Sequence, residues 1–156
     1  MRTTSRRARA VIAAVAASLA LATVIGPAAA AEPRPQGVTI VSPMVVPGNP
    51  NDGTFAASGS ALICGSGDVV DTRLVVLRGS LETDFVITVN KTFTCDDESG
   101  TFFARLLVRS TGGYETFTWA ILGGTGAYRC LSGLGSGSTV PIEGGVTNTY
   151  IGYLFH

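Results

Sequence analysis

Apolar and polar residues alternate with a period of two along most of this chain, and that alternation predicts strands. Phe85, Ile87, Val89, Phe93 and Cys95 share one face of a segment, with Thr88, Asn90, Thr92 and Thr94 on the other. Lys91 interrupts the apolar face. Phe102, Ala104, Leu106 and Val108 alternate with Arg105 and Arg109, and Phe117, Trp119 and Ile121 alternate with Thr116 and Thr118. A one-residue slip would turn each apolar set to solvent, so the register is well specified. Segments of this kind recur at 38–46, 54–64, 69–77, 84–94, 101–109, 114–122, 130–140 and 146–154, with turn residues between them. Regular spacing without an intervening helix predicts an antiparallel sandwich or barrel rather than a parallel α/β sheet. Pro43 breaks the first segment and predicts an edge or bulged strand there. The run Pro47-Gly48-Asn49-Pro50-Asn51-Asp52-Gly53 reads as a turn, with Asp52-Gly53 suited to a hairpin connection. No internal repeat or second domain is visible.

The first 31 residues do not fit this pattern. Arg2, Arg6, Arg7 and Arg9 precede an alanine-rich apolar run of roughly 17 residues, which ends in Pro27-Ala28-Ala29-Ala30-Ala31. The expectation is a secretory signal peptide cleaved after Ala31, with export from the cell and no stable membrane insertion. Residues 32–37 read as a polar, proline-containing leader that is disordered or loosely attached. The folded domain is then 38–156.

Cleavage changes the charge. The whole chain is neutral, but four of its eleven Lys and Arg precede residue 32 while all eleven Asp and Glu follow residue 31, leaving a net charge of −4. A mildly acidic surface with one lysine lacks the clustered cations that nucleic acid or anionic lipid would need. Charged residues are 14% of the chain while glycine, threonine and valine abound, which favours an all-β protein.

Three cysteines remain for an oxidising compartment. Cys64 and Cys95 each sit where a strand gives way to a loop, so they are placed to bridge, and closing that loop would stabilise the fold by roughly 3–4 kcal/mol. Cys130 has no obvious partner; it reads as a small buried apolar residue, with a reactive thiol or an intermolecular bridge as alternatives.

Between two late strands lies Leu122-Gly123-Gly124-Thr125-Gly126-Ala127-Tyr128-Arg129-Cys130. A phosphate loop would need a helix next. Gly133, Gly135 and Gly137 follow instead, each costing a helix about 1 kcal/mol relative to alanine. A turn fits better: Gly123, Gly124 and Gly126 permit a sharp reversal, Thr125 bonds the local backbone, and Tyr128 folds back as an apolar plug with its hydroxyl at the rim.

This segment resembles the glycine-threonine-glycine turn of the allene oxide cyclase and dirigent barrels, where Gly-Gly-Thr-Gly-x-aromatic-Arg joins two late strands. The Lys91-Thr92-Phe93-Thr94-Cys95 run and the late Gly-Thr-Gly-Ala-Tyr are also similar to small uncharacterised secreted actinobacterial proteins. The resemblance implies a single antiparallel barrel of about eight strands with an apolar lumen, often in oligomers. It carries no catalytic residue across. An immunoglobulin-like sandwich is the alternative fold, although it would more often set a tryptophan beside an inter-sheet disulfide, and Trp119 has neither bridging cysteine on its strand.

Candidate chemistry is sparse. The one histidine is His156, which argues against histidine-dependent nucleophilic catalysis and against zinc. Asp96, Asp97 and Glu98 could hold calcium but match no recognised loop and read as a hairpin tip. Asp68 and Asp71 read as turn-capping residues. Lys91, Arg105 and Glu115 are candidates for the lumen, weighed against outward salt links as the default. No metal or cofactor motif emerges. The expected function is a secreted barrel binding a small apolar ligand in its lumen, since a catalytic set is lacking. The alternatives are a cell-envelope structural or interaction protein, with Cys130 bridging subunits, and a cyclase or isomerase drawing on Lys91, Glu115, Tyr128 or Arg129.

Overall fold

The computed structural model describes residues 34–45, 52–80 and 84–156. The expected signal peptide, the start of the leader and most of the 47–53 turn lie outside the described residues.

Among the described residues there are eight strands: β1 (Gln36–Val45), β2 (Asp52–Ser58), β3 (Ser66–Gly79), β4 (Phe85–Cys95), β5 (Thr101–Thr111), β6 (Tyr114–Gly124), β7 (Ser132–Ile142) and β8 (Gly145–Phe155). Each pairs antiparallel with the next, and β8 returns to β1 in a ladder running from Gln36↔Leu154 to Val45↔Gly145. The sheet is a closed barrel, so no strand is an edge and an immunoglobulin-like sandwich is ruled out. The β2–β3, β4–β5 and β6–β7 connections lie at one end, which we term the sealed end. The β5–β6 and β7–β8 turns lie at the other.

The alternation read from the sequence is the barrel's inside and outside. Phe85, Ile87, Val89, Lys91, Phe93 and Cys95 of β4 point inward, as do Phe102, Ala104, Leu106 and Val108 of β5 and Phe117, Trp119 and Ile121 of β6. Toward the sealed end the lumen is filled by aromatic rings. Phe93 and Phe102 stack with centroids 4.7 Å apart, and Phe55 meets both edge-on. Tyr150 crosses beneath them, in contact with Phe93, Phe117 and Trp119.

Strand β7 makes that filling possible. Its inward positions are Gly133, Gly135, Gly137 and Thr139, and a β-carbon on Gly137 would lie 2.3 Å from the Phe117 ring. The missing side chains leave room for Phe117 and Trp119 to lie against bare backbone, where Trp119 Nε1 donates to the Ser136 carbonyl at 3.1 Å.

Several expectations are corrected. Gln36 and Gly37, assigned to a loose leader, begin β1, and Gln36 Oε1 accepts from Ser60 Oγ and the Ala61 amide. Pro43 marks neither an edge nor a bulge: β1 pairs with β8 straight through it, and the gap in pairing falls on the β2 side, between Val41↔Ala56 and Met44↔Gly53. A proline's missing N–H is tolerated because one side of the ladder is already continuous. Asp52 and Gly53 belong to β2 rather than to the turn before it. That strand ends at Ser58, not Cys64, because bonds to Gln36 and Ser60 replace the ladder. Cys130 is exposed in the turn before β7 and is not a core residue.

Candidate functional site

The residues singled out in the sequence divide between the two ends of the barrel. At the sealed end, Gly123 and Gly126 have φ of +96° and +56°, which reverse the chain out of β6. Thr125 Oγ1 accepts from the Thr101 amide at 3.0 Å, and its own amide donates to the Thr101 carbonyl at 2.8 Å. A 3-10 turn, Gly126–Tyr128, then drives the Tyr128 ring inward against Phe102. The plug is as expected, but its hydroxyl is buried rather than at the rim: it accepts from the Cys64 amide at 3.2 Å, with Cys95 Sγ at 3.3 Å and Ser99 Oγ at 2.6 Å. Cys64 and Cys95 form the disulfide. Tyr128 is thus a structural residue, and its neighbour Arg129 is exposed.

Asp97 lies close to the two cysteine sulfurs, yet both sulfurs are consumed by the disulfide, which leaves no thiolate for a metal. Asp97 instead accepts from the Ser99 amide and hydroxyl, and these bonds hold its carboxyl below the ordinary value. Asp96 Oδ2 accepts from Ser66 Oγ. The acidic cluster is a hairpin tip, as expected.

The other half of the lumen holds a cavity of about 140 Å³. Its walls include Leu74, Ile87, Val89, Leu106, Val108 and Phe117, and its polar groups are Asp71, Lys91, Glu115, Thr139 and Asn148. A larger depression of about 350 Å³ lies beside Arg78, Asp84 and Arg109, but those charges are exposed; the buried ones belong to the lumen cavity.

Lys91 leaves only 4% of its surface accessible and pairs with the Asp71 carboxylate. Its Nζ also lies 3.0 Å from Met44 Sδ, and Asn148 Nδ2 donates to the same sulfur at 3.3 Å. Thr139 Oγ1 donates to Asn148 Oδ1 at 2.9 Å. Five strands, β1, β3, β4, β7 and β8, therefore contribute to one hydrogen-bonded group. Burial depresses the Lys91 ammonium and raises the Asp71 carboxyl, in each case against the pull of the partner charge. Both shifts favour the neutral amine and acid relative to water. Tyr150, packed against Phe117, is held well above its ordinary value by burial, with the Asp71 charge adding to the effect. Its hydroxyl and that of Ser42 are buried without a hydrogen-bond partner among the described residues.

Of the four ligand-binding candidates, the structure therefore brings Lys91 and Glu115 to one cavity and leaves Tyr128 and Arg129 away from it. Arg105 faces outward, but its Nε donates to the neutral Asn90 Oδ1 rather than to a carboxylate, and Lys91 turns inward to an ion pair with Asp71. Asp71 is not a turn cap. It shares its face with Gly67 and Val69, so it enters the lumen before the register shift between Asp71 and Arg73. Parity with Val69 was a signal for Asp71, and parity with Tyr150 and Leu154 was one for Asn148. Nothing local marked Thr139 or Met44 as members of the group.

Comparison of the chain with protein-family models, curated proteins and solved structures yields no match.

Proposed function

We propose that the protein is a secreted binding module that holds a small, largely apolar ligand with one polar group in its lumen. The observation that carries this reading is the apolar cavity with Lys91, Asp71, Asn148, Thr139 and Glu115 gathered on its wall. Ligand pockets commonly combine apolar walls with a few fixed polar groups. The volume sets the ligand's size: an apolar cavity of about 150 Å³ holds a benzene ring. The closed barrel and the Gly-Gly-Thr-Gly turn support kinship with the allene oxide cyclase and dirigent barrels.

The reading is tested with benzyl alcohol, titrated while Trp119 fluorescence and native mass are followed. Saturable binding of one molecule per chain is expected, and Val108→Trp, which fills the cavity, should abolish it in a folded protein. Absence of binding at millimolar benzyl alcohol, or binding indifferent to Val108→Trp, overturns it.

A second reading, an interaction protein of the cell envelope, is favoured by the outer wall. Along β6, β7, β8 and β1 no outward side chain among the described residues is charged, and Leu122, Leu134, Ile151 and Tyr153 are exposed there. Contiguous exposed apolar surface of this kind is a common mark of protein contact. Sedimentation of the wild type against Ile151→Lys tests it: a particle of unchanged, monomeric size in both removes this reading.

A further inference from the structure

Lys91 is the sole lysine of the 156 residues; the other ten basic side chains are arginines. The contrast has chemical content. An arginine stays charged and makes the better-organised ion pair, whereas a lysine can give up its proton when buried and then carries a nucleophilic lone pair. Of the eleven lysine and arginine side chains, the one able to do so is the one buried in the cavity wall.

Its surroundings suit that chemistry. Lys91 points inward from β4 between Val89 and Phe93, and Met44 Sδ and Asp71 hold its Nζ in place. Val89, Leu106, Val108 and Phe117 supply apolar wall, with Glu115, Thr139 and Asn148 as the other polar groups of the cavity. Among the described residues Asp71 is the only carboxylate bonded to the amine, and it is placed to take a proton and to return it. Desolvated lysines beside such groups serve as covalent nucleophiles toward carbonyl compounds.

We propose that Lys91 captures a benzene-sized aldehyde in the lumen cavity as an imine, with Asp71 as the proton carrier. The inference rests on the cavity being a ligand site, as argued above. In the first step the ammonium passes one proton to the carboxylate. The amine lone pair then forms the N–C bond, and the carbonyl π electrons move to oxygen, which takes a proton from nitrogen to give the carbinolamine. Asp71 next returns its proton to that hydroxyl, the C–O bond breaks, and water leaves as nitrogen forms the C=N double bond. One ammonium and one aldehyde thus become one iminium and one water, with no change of oxidation state. The iminium then sits opposite the Asp71 carboxylate where the ammonium had been.

The experiment treats the purified protein with benzaldehyde, reduces with cyanoborohydride and maps the modified peptides. One benzyl group on the Lys91 peptide is expected, at least tenfold above that on the chain's α-amino group. Asp71→Asn should slow its appearance at least tenfold, and Val108→Trp should suppress it. An unmodified Lys91 in a protein that binds benzyl alcohol overturns the imine and leaves the binding reading standing. An unmodified Lys91 in a protein that does not bind benzyl alcohol overturns both. Labelling that is unaffected by Val108→Trp also overturns the proposal, because the cavity would then play no part; the wild-type peptide map needs no variant to fold.

Discussion

At the scale of single residues, the lumen contains two kinds of polar group with opposite consequences for stability. Lys91 and Asp71 are mutually satisfied, so deleting one strands the other. Lys91→Met is expected to cost about 3–5 kcal/mol, whereas the double replacement Lys91→Met with Asp71→Leu should return to within about 1–2 kcal/mol of the wild type. Urea midpoints at constant m-value measure both. Tyr150 is the opposite case: its hydroxyl is buried without a partner among the described residues, so Tyr150→Phe should change stability at pH 7 by less than about 1 kcal/mol. The pH dependence then separates the ring from its hydroxyl. The unfolded chain loses the Tyr150 proton near 10.0, while the folded state, with its raised value, keeps it. Above that pH the unfolded state binds fewer protons, so stability falls as pH rises, by up to about 1.4 kcal/mol per pH unit from this group. Unfolding measured between pH 9 and 11 should therefore show a shallower decline in Tyr150→Phe. An identical slope in the two proteins would mean that Tyr150 ionises equally easily in both states.

At the scale of elements, β7 shows how a strand can shape its neighbours by what it lacks. Its inward glycines give Phe117 and Trp119 the backbone to lie on, so Gly137→Ala should force the Phe117 ring aside and cost about 1–3 kcal/mol. Combining it with Phe117→Leu should recover part of that loss, a coupling that a thermal double-mutant cycle measures; strict additivity would dissociate the two. The same strand marks the limit of what the sequence disclosed. Its glycines correctly argued against an α-helix where β7 forms, and period-two alternation placed β4, β5 and β6 with the right faces inward. What alternation could not convey was which apolar faces meet across a closed barrel, because that depends on pairs such as Phe93 and Phe102 contributed by separate strands. Lys91 was legible as an interruption of an apolar face, yet outward salt links were the stronger expectation until Asp71 was found opposite it in the β3–β4 ladder. Cys130 misled for a local reason: the turn after Tyr128 carries it outward, and Leu131 takes the buried place beside it.

At the scale of the whole molecule, the barrel separates its structural and its chemical ends. Tyr128, the Gly123–Gly126 turn and the Cys64–Cys95 bridge close one end, and the cavity with Lys91 and Asp71 occupies the other half of the lumen. This division predicts that stability and ligand binding respond differently to reduction. Cys64 and Cys95 lie 31 positions apart in sequence, and a cross-link of that span stabilises a fold by about 3.5 kcal/mol through the unfolded chain. That is a large share of the roughly 5–15 kcal/mol by which domains of this size are stable. Loss of the bridge should therefore lower the urea midpoint strongly. It should also loosen the packing around the Tyr128 hydroxyl, which contacts both the Cys64 amide and Cys95 Sγ. The cavity walls come from the strands and not from these connections, so the fraction that remains folded should bind benzyl alcohol with unchanged affinity. The comparison is best made with Cys64→Ala and Cys95→Ala together in a Cys130→Ser background, which removes thiol exchange with the exposed cysteine. A folded double variant whose affinity falls as steeply as its stability would show that the two ends are coupled, and that the sealed end sets the shape of the cavity as well as closing the barrel.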